Sequence, residues 1–366
     1  MSTKPIRVLC VFASLGCGGA ETMCMNLYRN IDREKVQFDF VKHTSKECIY
    51  EKEITELGGR IYTAPKYKIY NHVAYCRWWK RHFENHPEHK IVHGHFITLT
   101  SIYGTIAKRY QRTVIAHSHS TNPQGNAMQQ MVKKLYVAGT KKSADYGIAC
   151  SEQAGKWVFG SKSYFVLNNA IETKKFRYNA ETREEMRIKM GLQDLFVIGI
   201  VGSLSPVKNP MGTIAIFKAI HKKNPNTKLL WVGDGPLRQE IEQKLEEEKL
   251  TNAIIMTGVR SDVHRLTQAM DVFILPSLWE GLGMVLIEAQ ASGLHCFISD
   301  AVPEEVAITN LCRFLPSDQP ERWVEAILLE NRPVRRDTSE EIKKAGYDIE
   351  TTAKWLGKFY QRVVED

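Results

Sequence analysis

The amino-acid sequence predicts an α/β protein with two domains, each built from a parallel sheet covered by helices. Strand-like apolar runs alternate with helical stretches along the chain, which is typical of strands joined by crossover helices. The alternation pauses at residues 168–178 and then restarts. The chain has 366 residues, and single hydrophobic cores rarely grow beyond about 250 residues. We therefore place one domain at residues 1–170 and a second at 171–345.

The elements of the first half follow from short runs of apolar residues, each of strand length. The predicted strands are residues 6–12, 36–42, 59–63, 91–93, 113–117 and 144–150. Residues 20–30 have helical character, and Ser151 followed by Glu152 is typical of a helix N-terminus.

The second half repeats this pattern after a polar helix at residues 181–190. Its predicted strands are residues 195–201, 228–232, 254–257, 272–275 and 295–298, with a further helix at 236–249. In open parallel sheets, ligands bind outside the carboxyl ends of the strands. The turns that follow strands are therefore the places where we expect the chemistry.

The first strand ends in a glycine-rich turn, residues 16–21, which contains Gly18, Gly19 and Glu21. Glycines at a helix start let the backbone approach a phosphate or a sugar. The turn does not fit the Gly-x-Gly-x-x-Gly pattern, which disfavours a nicotinamide or flavin cofactor. A tight strand-to-helix connection without a ligand explains the glycines equally well.

Histidines are concentrated in the first half, where nine of the twelve precede residue 120. His93 and His95 follow one predicted strand, and His117 and His119 follow another. Histidines are commonly structural, but two pairs at strand ends favour His117 or His119 at an active site. His-x-His pairs can also chelate zinc. We nevertheless predict no metal, because no cysteine or carboxylate lies near these pairs in the sequence.

Three turns of the second half carry candidate ligand-binding residues. Lys208 lies in the turn at 202–210 after a strongly apolar strand, where its ammonium can meet a phosphate, although it could also be a solvent-exposed loop lysine. The turn at 233–236 contains Gly233 and is also consistent with a purely structural turn. The turn at 258–263 contains Val259 and Arg260.

The most specific pattern lies at residues 276–288, after the strand at 272–275. Gly283 precedes a predicted helix start, where backbone N–H groups suit a pyrophosphate. Glu280 precedes that helix, and Glu288 lies on it among apolar residues. A buried carboxylate needs a partner, and the two hydroxyls of a ribose would supply one. A salt-bridged structural glutamate is the alternative for Glu288.

The apolar runs, the first residues and the cysteines indicate the cellular compartment. The longest apolar stretch, residues 195–201, is much shorter than the roughly 20 residues of a membrane span. The first residues do not fit a typical signal peptide. Eight cysteines, including Cys17, show no Cys-x-x-Cys spacing, so we expect free thiols in a reducing compartment. These observations predict a cytoplasmic protein that does not span the membrane.

The first half is basic and the second is not. Residues 1–170 hold 24 Lys and Arg against 12 Asp and Glu, whereas residues 171–366 hold 26 against 29. Aromatic residues and cations alternate at 67–70 and 76–81, which suits an anionic membrane surface. A solvated surface without a partner is the alternative, in which Trp78 and Trp79 pack in the core. The sequence lacks a basic helix or an aromatic platform of the kinds that usually bind nucleic acid, so we expect no nucleic-acid partner.

Taken in order, these motifs resemble glycosyltransferase family 4, the retaining, nucleotide-sugar-dependent enzymes with the GT-B fold. The resemblance covers nearly the whole chain and is strongest to enzymes that build bacterial capsules, exopolysaccharides and lipopolysaccharides. It rests on the motifs at residues 18–21, 117–119, 169–172, 202–208, 233–236 and 258–263, and on the glutamates at 280 and 288. It implies two Rossmann-like domains facing a cleft, with a C-terminal helix at 346–366 that returns to the first domain.

The resemblance also implies roles for the residues of the second half. Glu288 would hold the ribose hydroxyls of a donor, expected to be a UDP-sugar, and Glu280 would face the donor sugar. Lys208 would neutralise the pyrophosphate. The remaining implied contacts are those of the backbone at Gly283, Met284 and Val285 with the pyrophosphate, and of Val259 and Arg260 with the base.

In the first half, the resemblance implies that the turn of Gly18 and Gly19 closes over the phosphates from the opposite domain. His117 would lie near the anomeric carbon, with His119 as the alternative. The expected acceptor is a glycan or a lipid-diphosphate-linked sugar, and transfer would need no metal. The expected location is the cytoplasm, at the inner face of the membrane if the basic half binds lipid.

One departure from the family pattern concerns a phosphate-facing cation. Where the family commonly has arginine, this chain has Ser203, so that either Arg260 or Arg238 compensates or the activity is lower. This departure keeps open the alternative of a non-catalytic, nucleotide-sugar-binding partner subunit. A second alternative is a sugar-nucleotide epimerase of related architecture, which would explain the two domains and the histidines but not the pair Glu280 and Glu288 as well.

Overall fold

The computed structural model describes residues 4–16, 18–119, 127–330 and 333–365, without the side chains of 127–133. Residues 1–3 and Cys17, considered above, lie outside this range. The chain divides into two compact units. One comprises residues 1–170 and 349–366, and the other comprises residues 171–348. Each unit contains one sheet, and all strand pairings in the described residues are parallel.

The sheet of the first unit has seven strands in the order β3-β2-β1-β4-β5-β6-β7. The strands are β1 Ile6–Val11, β2 Val36–Lys42, β3 Ile61–Thr63, β4 Ile91–Gly94, β5 Thr113–Ser118, β6 Tyr146–Ala149 and β7 Phe165–Val166. The six predicted strands are confirmed. β7 was not predicted, because it has only two residues and both are exposed.

Helices cover both faces of this sheet. They are α1 Gly19–Asn30, α2 Glu51–Glu56, α3 His72–Asn85, α4 Ile97–Arg109, α5 Ala127–Ser143, α6 Glu152–Phe159 and the C-terminal α15 Ile349–Glu365. Along β1, Val8 and Cys10 face a core shared with α1 and α15, whereas Leu9 and Val11 face a core shared with α3 and α4. Burial on both faces explains why β1 is almost entirely apolar.

The sheet of the second unit has six strands in the order β10-β9-β8-β11-β12-β13. The strands are β8 Phe196–Val201, β9 Thr227–Val232, β10 Ile254–Met256, β11 Val272–Leu275, β12 His295–Ser299 and β13 Cys312–Leu315. The helices are α7 Thr173–Phe176, α8 Ala180–Met190, α9 Pro210–Lys223, α10 Arg238–Glu247, α11 Val263–Ala269, α12 Met284–Ala291, α13 Pro320–Glu330 and α14 Ser339–Lys344. The five predicted strands are confirmed, and β13 was missed.

The strand order of each sheet reverses at one point. In the second unit, β8 lies between β9 and β11. The strands that follow β8 are added on one side of it, and the strands from β11 onward are added on the other side. A crevice outside the strand ends forms at such a switch point. The loops after β8 and β11, residues 202–209 and 276–283, therefore meet there. In the first unit the corresponding loops follow β1 and β4.

The aromatic residues proposed for a membrane surface are partly buried. Trp79 is 0% exposed and Trp78 is half-buried, so the prediction that residues 76–81 present their aromatic rings to lipid is wrong for Trp79. Trp79 packs between Phe83 and Tyr103 in the core under α3. Within the described residues, every helix is too short or too polar to cross a membrane.

Candidate functional site

The loops after β8 and β11 are held together by two hydrogen bonds. Leu278 N–H donates to the Val207 carbonyl at 2.8 Å. Asn209 Nδ2 donates to the Pro276 carbonyl at 3.1 Å. Asn209 also adopts a left-handed conformation, with φ of 53°, and its Oδ1 accepts from Gly212 N–H to begin α9. These contacts fix the turn that carries Lys208 against the loop that carries Glu280.

Lys208 and Glu280, predicted separately from their turns, form an ion pair. Lys208 Nζ lies 2.5 Å from Glu280 Oε1, and the same oxygen accepts a 2.7 Å hydrogen bond from Ser277 Oγ. Ser277 and Glu280 are buried, whereas Lys208 is half-buried. Ser277 was not among the predicted site residues. Its position two residues after a buried strand and three before Glu280 could have indicated that its hydroxyl group contacts the glutamate.

A second pair of loops packs closely beside this ion pair. At Gly233, φ is 138°, and a Cβ atom there would lie 1.9 Å from the Gly202 carbonyl oxygen. Only glycine fits this position. Gly233 therefore allows the loop after β9 to support the loop that begins at Gly202, over which the aliphatic part of Lys208 lies. This close approach of two loops accounts for a glycine at position 233 without any contact to a ligand.

Gly283 begins α12, as predicted. It has φ of 71°, a left-handed conformation that glycine adopts at low cost. Met284 and Val285 occupy the first turn of the helix, where backbone N–H groups have no intrahelical acceptor. Together with the helix dipole, these amides form a region of positive potential that suits an anion.

Glu288 lies on α12, one face of which is packed against the apolar core of the second unit. Its carboxyl group has no hydrogen-bond or ion-pair partner among the described residues, so the alternative of a salt-bridged structural glutamate is not what the structure contains. Burial raises the pKa of Glu288 to about 7. A carboxyl group left without a protein partner is suited to a ligand with hydroxyl donors.

The other candidate residues of the second unit, Val259, Arg260 and Arg238, lie at the protein surface. Val259 is 82% exposed. Arg260 makes a two-pronged ion pair with Asp262, at 2.8 and 2.7 Å. Arg238 is engaged by Asp234 and Glu242. Each of the two arginines proposed to compensate for Ser203 is therefore already held by a carboxylate.

Ser203 is exposed, and its Oγ lies 2.9 Å from Ser205 Oγ. Its side chain carries no charge, so the cation that the loop after β8 offers beside Glu280 is Lys208.

In the first unit, the glycine-rich turn leads directly into α1. Gly18 is the N-cap, and a Cβ atom there would lie 2.4 Å from Glu21 Oε2. Glu21 is in the first turn of α1, where a carboxylate is favoured by the helix dipole. Nothing within 4 Å would meet a Cβ atom at Gly19. The Glu21 carboxylate therefore lies against Gly18, where a larger residue would displace it.

The four histidines at the carboxyl ends of β4 and β5 form one stack. His93 Nε2 lies 3.2 Å from His117 Nδ1, and His95 Nδ1 lies 2.8 Å from His119 Nε2. Burial lowers the pKa of His93 to about 3 and that of His119 to about 4, and it also lowers the pKa of His95 and His117 well below the ordinary value. All four imidazoles are therefore neutral at pH 7.

His117 and His119 differ in how accessible they are. His117 is 0% exposed, and its Nε2 has no hydrogen-bond partner among the described residues. His119 is half-buried. The free nitrogen of His119, Nδ1, is nevertheless buried without a hydrogen-bond partner among the described residues, as Nε2 of His117 is, so the structure does not decide between the two alternatives.

Comparison with known proteins agrees with this architecture. The family description "Glycosyltransferase Family 4" matches residues 17–173, and "Glycosyl transferases group 1" matches residues 182–345. EpsF of Bacillus subtilis, which is described as a glycosyltransferase, is 32% identical over 98% of this chain and 97% of its own length. An Escherichia coli enzyme, UDP-Gal:alpha-D-GlcNAc-diphosphoundecaprenol alpha-1,3-galactosyltransferase, is 34% identical over 40% of this chain and 38% of its own.

Among solved structures, Anabaena Alr3699/HepE in complex with UDP and glucose has the same fold. Its TM-score is 0.72 with 16% identity, over 98% of this chain and 100% of that chain. The fold and the family matches define a retaining, nucleotide-sugar-dependent glycosyltransferase of the GT-B type. The chain belongs to glycosyltransferase family 4.

Proposed function

We propose that the protein transfers a sugar from a UDP-sugar to a lipid-diphosphate-linked glycan, with retention of configuration, in bacterial surface-polysaccharide synthesis. The observation that carries this proposal is the Lys208–Glu280 ion pair in the loops at the β8/β11 switch point, close in sequence to α12. The UDP bound to HepE and the donor and acceptor named for the Escherichia coli relative support the choice of substrates.

The nucleotide end of the donor is assigned to α12. Glu288, which has no protein partner, would accept hydrogen bonds from the ribose hydroxyls. The diphosphate would lie against the N–H groups of Met284 and Val285. A hydrogen bond to a charged group contributes about 1.5–3 kcal/mol, so Glu288 would supply a substantial part of the nucleotide affinity.

Lys208 would stabilise the leaving group. The bond between the anomeric carbon and the phosphate oxygen breaks, a bond from the acceptor oxygen to that carbon forms on the same face, and the acceptor proton passes to a phosphate oxygen. Negative charge on the diphosphate therefore grows during the reaction. A fixed cation that faces this charge lowers the barrier, and such electrostatic effects are commonly the largest contribution to catalysis.

Glu280 would contact the donor sugar with one carboxylate oxygen and hold Lys208 near the phosphates with the other. Its Oε1 is occupied by Lys208 and Ser277, which leaves Oε2 for a sugar hydroxyl. Glu280 thus orients both the sugar and the lysine. In the first unit, His117 and His119 stay the candidates for a contact with the donor sugar, and the turn of Gly18 and Gly19 stays the candidate for a contact with its phosphates.

We assign the binding of the acceptor to the basic first unit. We also propose that this unit attaches to an anionic membrane. Ile69 and Tyr70 are 83% and 82% exposed, and Val73 at the start of α3 is also exposed. A groove of about 580 Å³ between α3 and α4 lies beside them and is lined by three cations, Arg77, Lys80 and Arg109. Apolar side chains flanked by cations suit a surface of anionic lipid.

The direct test is a screen of the purified chain against nucleotide sugars, first by thermal shift and then by hydrolysis without acceptor. We expect stabilisation by a UDP-sugar and slow release of UDP. Stabilisation by a donor with another base would overturn the assignment of uridine.

A further inference from the structure

Two cysteines lie beside the histidine stack, beneath α1. Cys10, Cys24 and His95 each contribute one ligand-type atom, and these three atoms all lie within 4.8 Å of one another. His93, His95 and His117 form an overlapping group by the same measure. Both thiols are buried. We call these five residues the Cys/His cluster.

Four different elements bring the cluster together. Cys10 on β1 is directly opposite His93 on β4 in the sheet register. Cys24 comes from α1, which covers this face, and His95 follows β4, where its N–H donates to the Val11 carbonyl. The prediction of no metal rested on the lack of a cysteine near the histidines in the sequence. The fold places two there.

The donor atoms of the cluster are incompletely satisfied. His95 Nε2 and His117 Nε2 are buried without a hydrogen-bond partner among the described residues. The other ring nitrogen of His95 is held by His119 at 2.8 Å. The His95 ring also stacks on Phe12, with centroids 4.3 Å apart. Histidines that ligate a metal characteristically use the second nitrogen in such an orienting contact.

We propose that Cys10, Cys24 and His95 bind one Zn²⁺ ion. His93 is not a candidate for the fourth position, because both of its ring nitrogens are engaged, by Tyr360 and by His117. His117 Nε2 has no partner among the described residues, but it belongs to the overlapping group and would have to approach the cysteines to complete the set. Thiolate and imidazole ligands in a closed, four-coordinate set are typical of structural zinc. In such a set the ligand atoms lie about 3.3–3.8 Å apart, given Zn–S and Zn–N distances near 2.3 and 2.0 Å. The three donor atoms of Cys10, Cys24 and His95 lie within 4.8 Å of one another, so they must move closer together when the ion binds.

Binding would replace two thiol protons with the metal, so the two thiolates neutralise the ion and two protons are released. The site would connect β1, α1 and the loop after β4. Its role is therefore structural: it stabilises the first unit and fixes His95, which in turn orients His119. The proposal does not depend on the assignment of donor or acceptor.

The test uses the full chain, purified with an affinity tag that contains no histidine and titrated with Co²⁺ as a spectroscopic probe. We expect one Co²⁺ per chain, an intense thiolate-to-cobalt absorption in the near ultraviolet, and its displacement by Zn²⁺. The double variant C10S/C24S should lose this absorption. The matched control is C296S/C312S, a second pair of cysteines that face each other in register, on β12 and β13.

X-ray absorption at the zinc edge of the wild-type protein decides the same question if C10S/C24S does not fold. A coordination shell with two sulfur atoms and nitrogen supports the proposal. A shell of nitrogen and oxygen alone, or the absence of stoichiometric zinc and cobalt binding by the folded wild-type chain, would overturn it.

Discussion

Lys208 and Glu280 neutralise each other across the loops after β8 and β11, with 2.5 Å between Nζ and Oε1. Because Glu280 is buried, removal of either partner leaves an uncompensated charge or an unfilled site. In the proposed function, the ion pair would hold the lysine in place before a diphosphate arrives. A substituted lysine should therefore affect the reaction itself more than binding.

We predict that Lys208→Ala lowers kcat by at least about 10²-fold, comparable to the loss of one donor to a developing oxyanion. The affinity for the nucleotide sugar should change much less, because the charge on the leaving phosphate grows in the transition state. Steady-state kinetics together with calorimetric binding of the donor measure both effects. Lys218→Ala, which removes an ion pair with Glu248 on the surface, is the control. A larger effect on affinity than on kcat would contradict the assigned role.

Glu288→Ala should weaken the binding of UDP and of the UDP-sugar equally, by about 10- to 150-fold, since both contain the ribose. Calorimetric titration of both ligands measures this. Glu246→Ala, an exposed glutamate on α10, should leave both affinities unchanged. A folded Glu288→Ala variant that binds UDP as tightly as the wild type would show that the ribose lies elsewhere.

With Glu288 in the proposed ribose-binding role, we predict that donor binding depends on pH. Burial raises this pKa to about 7, so a large fraction of the carboxyl groups is protonated in the unliganded protein at pH 7. The ribose hydroxyls bind best to the ionised form, and affinity should rise by about tenfold between pH 6 and 8. A UDP-sugar is the suitable probe because its diphosphate does not titrate in this range. The Glu288→Gln variant should show a flat profile, and an equally steep one would contradict the assignment.

Much of this site could be predicted because its residues lie in turns with local patterns. Lys208, Glu280 and the helix start at Gly283 follow apolar strands directly, so topology alone places them at one edge of the sheet. The hydrogen bond from Ser277 and the approach of Cys24 to His95 depend on side-chain directions and on packing between distant segments. β13 was missed for a related reason: three of its four residues are only partly buried or exposed, which gives no apolar run.

Membrane attachment should depend on the exposed residues before α3. The double variant I69S/Y70S should lose most of the sedimentation with anionic vesicles that we expect for the wild type at low salt. High salt should weaken wild-type binding, because the cations contribute about 1 kcal/mol each. Val334→Ser, at an equally exposed position in the second unit, is the control. Negligible wild-type binding to anionic and neutral vesicles at every salt concentration would favour a soluble acceptor.

The first unit should be the more sensitive to acid. Burial lowers the pKa of His82 and His93 to about 3 and that of His119 to about 4, whereas unfolded histidine titrates near 6.5. Between these values the unfolded chain binds more protons, so the free energy of unfolding falls as the pH falls below about 6.5. Hydrogen exchange at pH 7 and 5, with a chelator present, measures the two units separately. Equal loss of protection in both units would contradict this prediction.

Identification of the product formed by the purified chain tests the central claim most directly. The chain would be incubated with a UDP-sugar and a sugar linked to a polyprenyl diphosphate, and the product characterised by NMR. We predict release of UDP and a new glycosidic bond with the anomeric configuration of the donor. An epimerised free sugar nucleotide, or donor binding without turnover by the chain alone, would contradict the account.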